Sequence, residues 1–344
     1  MFISKRLFLL PLYFTFAYAS QISKSAYYDT LHGDISHTVL DWSKVADTTI
    51  SKWLGYNESN ITCASYQIVK PSSKSVDAFF QNNKYLNETE DTFIRVRMDS
   101  AFESKESNHF NVKLSAQLPF SKCRQKLKLF VEDISLNDQE QLSKESYSSN
   151  IDLGIRYYGN TFLKNIESRY SLGIHGINPY ISARYRFSSN IGHWSIDTIQ
   201  NFEYSIQDDF KEESNIYFDR VFENNTLFRL NLQRGTSSGL NGMDYGFTFQ
   251  YYFNAKKNSG LRLSQSFQGN TKYKKTIGTD ATVSSNDIYA GINNYITSFS
   301  WRQNIWRDWF YYEVTPSVNF HKDHDYKPNY AIRLFLDFYF GRYN

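Results

Sequence analysis

The sequence predicts an all-β fold, a closed antiparallel transmembrane β-barrel of roughly 12 to 14 strands preceded by a short, partly helical segment. Three observations support this fold class: a two-residue alternation of apolar and polar side chains, a high aromatic content and a secretion signal. The alternation is clearest in Asp244–Phe253, where every second residue is aromatic, and it returns in Ile332–Phe340. Because successive side chains of a strand point to opposite faces, each segment has one apolar and one polar side.

The composition excludes a helical membrane protein. Hydrophobic residues make up 41% of the 344 residues, the mean hydropathy is −0.55, and the chain has no run of ~20 apolar residues. Aromatic residues reach 18%, with 27 Tyr and 28 Phe. Membrane barrels place such rings in girdles at both lipid interfaces, which accounts for the excess.

The first 19 residues are typical of a secretory signal peptide. Lys5 and Arg6 precede a short apolar core, Leu7–Phe16, and Ala17–Ala19 forms a small-x-small cleavage site. The predicted domains are therefore the signal peptide at 1–19, a periplasmic segment at 20–91 and the barrel at 92–344. Cleavage removes two cations and no anion, so the formal charge of +3 falls to about +1, and we expect no nucleic-acid partner.

The segment before the barrel is predicted to contain helix. Apolar residues between 37 and 54 fall at spacings of three and four, with Gly55 as the expected stop, and Asp77–Phe80 indicates a second short helical turn. A disordered leader is the alternative, but Trp42 and Trp53 on one helical face argue against it. The helix at 37–54 is a candidate docking surface for a periplasmic protein.

Alternation dominates from Phe93 onward, and closure of the sheet removes its edges. Polar connections at 134–148 and 268–287 are expected outside the cell, with short turns and the C-terminus in the periplasm. The predicted strands lie near 93–99, 112–117, 127–131, 151–155, 166–174, 179–188, 192–206, 213–223, 226–234, 242–254, 259–268, 288–303, 308–320 and 329–340.

The last strand resembles the assembly signal that outer-membrane barrels present to their insertion machinery. Aromatic and apolar residues recur at every second position up to Phe338 and Phe340. The signal usually ends on a terminal aromatic residue, whereas Gly341–Asn344 extends past it here. The expected partners are therefore outer-membrane lipids and the insertion machinery.

Charged side chains alternate with the apolar ones and are predicted to face the lumen. One interpretation is a pore whose cationic wall favours anions. The other, which we favour, is an interior filled by ion pairs and hydrogen bonds, because buried charges must be paired. The predicted lumen-facing residues are Arg95, Arg97, Lys113, Lys126, Lys128, Arg156, Arg184, Arg186, Arg229, Arg262, Arg333, Asp99, Glu132, Asp152, Asp244 and Asp337.

The two cysteines of the exported chain, Cys63 and Cys123, are predicted to form a disulfide. Cys123 lies in a predicted periplasmic turn and Cys63 in the periplasmic segment, so both share one compartment. Neither has another Cys or a His at ligand spacing, and we expect no metal and no cofactor.

Catalysis is not expected. The alternative is an outer-membrane enzyme that acts on lipids or envelope polymers, for which two groups of residues are candidates. His193 and Ser195 have the spacing of an outer-membrane phospholipase pair, but Asn201 lies on the same strand rather than the next. The loop His321–Asp325 has the composition of an outer-membrane protease site, and a solvated charged turn explains it better.

The segment Ser300–Phe320 resembles a stretch found in an uncharacterised family of proteobacterial outer-membrane β-barrel proteins. In that family an aromatic-Arg strand, an Arg-Asp-Trp turn and a Glu-x-x-Pro strand come near the end, as in Arg307–Trp309 and its flanks. The similarity extends to Asp77–Phe80 and Asn178–Tyr185. The resemblance implies a barrel fold and an outer-membrane location, and it implies no activity.

Overall fold

The computed structural model describes residues 21–53, 74–80, 93–120, 127–133, 151–160, 166–207, 209–222, 226–238, 242–256, 258–274 and 288–341. In them, fourteen β-strands form one closed barrel, each pairing antiparallel with its neighbours in the chain and the first pairing with the last. The predicted fold class is therefore confirmed. The strands are β1 (Phe93–Glu103), β2 (His109–Phe120), β3 (Leu127–Asp133), β4 (Ile151–Asn160), β5 (Ile166–His175), β6 (Asn178–Ile191), β7 (Trp194–Ser205), β8 (Asp209–Val221), β9 (Leu227–Ser237), β10 (Asp244–Lys256), β11 (Ser259–Lys274), β12 (Ile288–Arg307), β13 (Phe310–His321) and β14 (Pro328–Gly341).

The alternation in sequence becomes an apolar outer face and a polar inner face. On β10, Thr248 and Gln250 are buried inside while Phe249 between them is exposed outside. On β14, Leu336 is exposed and Asp337 is fully buried. A closed barrel of this kind pairs every strand edge, which is the condition for spanning lipid with strands.

The two ends of the barrel differ in the length of their connections. Three connections at one end have two residues each, at 192–193, 257–258 and 308–309. We call this end, which also holds the start of β1 and the end of β14, the short-turn end. The opposite end carries the two longest connections, 134–150 and 275–287.

Two helices precede the barrel. Helix α1 (Gln21–Trp53) contacts β14 and β2, and it begins well before the predicted start near residue 37. Helix α2 (Lys74–Phe80) matches the helical turn predicted at Asp77–Phe80. Neither helix has the length and apolar content required to cross a membrane.

Several predictions fall on residues outside the described ranges. These are the signal peptide at 1–19, the helix stop at Gly55, the Cys63–Cys123 disulfide and the side chain of Lys126. They stay predictions, as does the boundary at residues 91 and 92 between the periplasmic segment and the barrel.

Candidate functional site

Helix α2 lies inside the barrel at the short-turn end. Val76 and Phe80 are buried in one cluster with Leu227 and Tyr252, and Val221 packs against it. The strand residues of this cluster belong to the inward faces of β8, β9 and β10. The Phe79 ring, in turn, lies 6.1 Å from the ring of Tyr311 on β13. Inward faces from β8 to β13 can meet one short helix at the same time because that helix occupies the lumen.

A buried ion pair fixes the acidic residue of α2 to the barrel wall. Arg229 Nη1 donates to Asp77 Oδ1 at 2.7 Å, and Arg229 Nη2 donates to Asp77 Oδ2 at 2.8 Å. The same guanidinium donates through Nε and Nη2 to both oxygens of Asp219 at 2.7 Å. The rings of Tyr217 and Tyr252 lie 5.4 and 5.8 Å from it. Arg229 thus binds two carboxylates in a site closed to solvent, where bidentate pairs are strongest.

A second arginine binds the C-terminal end of α2. Arg302 Nε donates to the backbone carbonyl of Phe79 at 2.8 Å. Its Nη1 lies 3.2 Å from Glu313 Oε2 and 2.8 Å from Asp337 Oδ2. The last carbonyls of a helix lack partners within the helix, so this contact satisfies one of them.

Gly260 on β11 makes room for the two phenylalanine rings of α2. A Cβ at this position would lie 2.7 Å from Phe79 Cε1 and 2.8 Å from Phe80 Cζ. Real Cβ atoms do not approach other heavy atoms so closely. The missing side chain is therefore what allows the rings to rest against the wall.

The ion pairs around α2 continue along the inner wall. Arg97 Nε lies 2.6 Å from Asp337 Oδ1, and Arg262 Nη2 lies 3.2 Å from Glu313 Oε1. With the pairs of Arg229 and Arg302, they make a set of four arginines and four carboxylates, which balances in charge. We call this set the lumen network; it comprises Arg97, Arg229, Arg262, Arg302, Asp77, Asp219, Glu313 and Asp337.

The structure brings together many of the residues predicted to face the lumen. Lys113 pairs with Asp99 at 3.4 Å, Arg186 with Asp197 at 2.8 Å and Asp152 with His175 at 2.8 Å. Asp244 is buried and accepts a hydrogen bond from Asn270.

Other predicted lumen residues pack on rings or are described by position alone. Arg156 lies 3.7 Å from the centre of the Phe130 ring, and Lys128 lies 4.5 Å from that of Tyr158. Arg184 and Arg333 are half-buried at inward positions of β6 and β14, and Glu132 is described by its backbone pairing alone.

Arg95 differs from its neighbours. It is 1% exposed, yet none of its three side-chain nitrogens has a hydrogen-bond partner within the described ranges. It lies opposite Ser115 on β2, whose hydroxyl also lacks a hydrogen bond there. The charge of Arg95 interacts with the Asp337 carboxylate, but a buried charged group without hydrogen bonds is costly.

The two candidate groups for catalysis lie at opposite ends of the barrel. His193 is exposed in the turn between β6 and β7. His321 Nδ1 accepts a hydrogen bond from the Asp323 backbone amide at 3.1 Å and so caps the short 3₁₀ turn Lys322–His324. Within the described residues no group of three or more His, Cys, Asp or Glu side chains is placed to hold a metal ion.

Of the residues that hold α2 and their ion-pair partners, the sequence predicted Arg229 and missed three. Asp219, Arg302 and Glu313 were not predicted as site residues, although their alternation with apolar neighbours carried the same signal as the predicted ones. The position of α2 inside the lumen had no sequence signal, because Asp77 and Arg229 are 152 residues apart.

The comparisons with known proteins found solved structures that are similar to this chain. No protein-family model and no curated protein matches the sequence. A loop-deletion mutant of OmpT from Vibrio cholerae is 7% identical with a TM-score of 0.45, over 73% of this chain and 98% of that one. The outer membrane channel DcaP of Acinetobacter baumannii is 9% identical with a TM-score of 0.42, over 72% and 96%.

OprD, an outer membrane protein of Pseudomonas aeruginosa, is 10% identical with a TM-score of 0.40, over 72% of this chain and 92% of that one. At these identities and TM-scores the likeness identifies neither a family nor a function.

Proposed function

We propose that this protein is an outer-membrane β-barrel enclosing a narrow, anion-preferring passage that α2 closes, and that it works without catalysis. The observation that carries the proposal is the burial of Asp77 of α2 on Arg229 of the barrel wall. The protein is then exported through the signal at 1–19 and assembled through its last strand, with Phe338 and Phe340 as the assembly signal.

The outer surface supports a membrane location. Exposed apolar side chains line the strands on their outward faces, where water would disfavour them. At the short-turn end, Trp306, Trp309, Phe310 and Phe338 contact one another at ring distances from 5.0 to 6.5 Å, as in an aromatic girdle. The outward apolar residues include Val112, Leu114, Leu153, Ile155, Leu172, Ile181, Phe249, Leu263, Phe299, Leu334 and Leu336.

The inner surface supports a closed lumen at the level of α2. Leu227, Tyr252 and Arg302 face inward and are fully buried. An open, water-filled channel would expose such side chains. The segment that covers them, within the described residues, is the seven-residue helix α2.

The contacts of α2 support the proposal that this helix can leave the lumen. Every strand of the barrel completes its pairing with other strands, so α2 can leave without breaking the sheet. Its polar contacts within the described residues include the Asp77–Arg229 ion pair and the hydrogen bond from Arg302 to Phe79. A buried ion pair contributes little net stability after its desolvation cost.

The charge of the lumen network supports a preference for anions. With Asp77 in place, four arginines face four carboxylates. When α2 leaves with Asp77, four arginines face three carboxylates, and the wall gains one positive charge. Arg95 lies on the same wall and adds a further cation.

Planar-bilayer recording of a triple variant tests the proposal. Asp77→Asn, Phe79→Ala and Phe80→Ala remove the charge and both rings of α2 while keeping the chain length. We expect frequent openings and, in a salt gradient, a reversal potential shifted toward the anion. The control is Asp41→Asn, on the exposed side of α1. A folded triple variant that stays silent, or that prefers cations, contradicts the proposal.

A further inference from the structure

One face of α1 is fixed to the short-turn end of the barrel. The His32 ring stacks on that of Trp309 at 4.4 Å, and its Nε2 hydrogen-bonds with the Tyr339 carbonyl at 2.7 Å. Ser36 Oγ accepts a hydrogen bond from the Gly341 amide at 3.2 Å. These residues, with the buried Val39, follow one another at helical spacing and define the packed face of α1.

The flank beside the packed face is apolar and exposed. Its exposed apolar residues follow at spacings of three, four, seven and three, and so they share one stripe about 100° wide that also carries exposed Thr38. They are Tyr28, Leu31, Ile35, Trp42 and Val45. Trp42 is 67% exposed and Val45 is 65% exposed. We call this stripe the apolar flank.

The side of α1 that points away from the packed face is polar, and we call it the polar flank. Asp34, His37, Asp41 and Lys44 are all exposed there, and Lys44 pairs with Asp41 at 3.0 Å. The three sides of α1 therefore have different chemistry: one contacts the barrel, one is apolar and one is charged.

The apolar flank is continuous with the aromatic girdle of the barrel. The Tyr28 ring lies 6.0 Å from the ring of Trp306, which faces outward and lies 5.6 Å from that of Phe310. Asp29 pairs with Arg307 at 2.5 Å, which fixes the start of the flank beside the girdle.

We propose that α1 lies in the surface of the periplasmic lipid leaflet, with the apolar flank in the headgroup–acyl boundary and the polar flank in the periplasm. A helix with one apolar and one charged side binds such a boundary through its buried apolar area. The lipid is the fitting occupant because the girdle that the flank continues already meets it. The inference rests on insertion of the barrel into the membrane, and it is independent of closure by α2.

Fluorescent labels on the two flanks test the placement. In a chain with Cys63→Ser and Cys123→Ser, a polarity-sensitive dye is attached through Trp42→Cys on the apolar flank or His37→Cys on the polar flank. The protein is reconstituted in phosphatidylcholine vesicles with nitroxide-labelled lipid, or with an aqueous quencher. Phe249→Cys, on the outward face of β10, is the reference for lipid contact.

We expect nitroxide lipid to reduce the fluorescence of the dye at position 42 severalfold, as it does at position 249. We expect the aqueous quencher to reduce the fluorescence at position 37 severalfold. Aqueous quenching at both 42 and 37 overturns the proposal. Shielding of position 42 from both quenchers also overturns it and indicates a second copy or a protein partner. If position 249 also escapes nitroxide lipid, membrane insertion itself is wrong.

A second measurement keeps the native cysteines in place. In vesicles of brominated lipid, Trp42→Phe removes one tryptophan, and the proposal expects the lipid-quenched part of the emission to fall. An unchanged quenched part overturns the placement of α1.

Discussion

The guanidinium of Arg229 and the carboxylate of Asp77 form two parallel hydrogen bonds of 2.7 and 2.8 Å inside the barrel. One residue belongs to strand β9 and the other to a helix that precedes the barrel. This pair holds an N-terminal segment inside the lumen, together with the Arg302 hydrogen bond to Phe79 and the packing of Val76 and Phe80.

Arg229→Gln is expected to destabilise the protein strongly. The change leaves the carboxylates of Asp77 and Asp219 buried without their guanidinium, and breaking a buried pair in this way costs roughly 3–5 kcal/mol. Urea unfolding of the reconstituted barrel measures it. Asp77→Asn is the matched control, since Arg229 keeps Asp219 and the loss should be smaller. Equal losses for both variants would contradict the assignment of Arg229 as the shared centre.

Arg95→Met is expected to leave the free energy of unfolding unchanged or to raise it. Arg95 is buried without a hydrogen bond in the described part of the chain, and an apolar side chain of similar length removes the desolvation cost of that charge. Arg97→Met, two residues along the same face, removes a bidentate pair with Asp337 and should cost about 2 kcal/mol or more. Equilibrium unfolding measures the free energy of unfolding of both variants. A larger loss for Arg95→Met than for Arg97→Met would contradict this prediction.

Phe249→Lys is expected to impair folding into bilayers. Phe249 is 40% exposed on the outward face near the middle of β10, and a Lys near the bilayer midplane costs about 2–4 kcal/mol. Phe249→Leu keeps the site apolar and should fold nearly as well as the wild type. Equal folding of the Lys variant would mean that β10 is shifted by one residue, which exchanges its two faces.

Gly260→Ala is expected to raise ion conductance without altering any charge. The added methyl group would overlap the Phe79 and Phe80 rings, so α2 has to shift. Gly33→Ala in α1 is the control, because nothing lies within 4 Å of the new atom and the change should stabilise the helix by up to about 1 kcal/mol. Bilayer recordings compare the two variants. A folded Gly260→Ala protein that does not conduct would contradict the placement of α2 against Gly260.

Much of the barrel was predictable because its cause is local. Alternation in segments such as Asp244–Phe253 places strands and their faces directly, and the observed strand number lies within the predicted range. Strand ends were less predictable. Ser259–Lys274 continues past its predicted end at 268, since strands that extend beyond the lipid need no apolar face.

The helices were less predictable than the strands because their placement depends on residues that are distant in sequence. The sequence-based prediction missed the first half of α1, although Tyr28, Leu31 and Ile35 follow at helical spacing there. Contacts made by Asp29 and His32 with the barrel support this half of the helix. The position of α2 depends on Arg229 and Arg302, which are distant in sequence. The Cys63–Cys123 disulfide stays a prediction, and free thiols in non-reducing mass spectrometry would refute it.

Single-channel recording of Asp77→Asn beside the wild type tests the central claim, closure of the lumen by α2, most directly. The substitution leaves the barrel wall intact and removes the charge that Arg229 binds. The account predicts a largely silent wild type and a variant that opens more often and passes anions in preference to cations. A correctly folded variant that is as silent as the wild type, or a wild type that already conducts as freely as the variant, would contradict it.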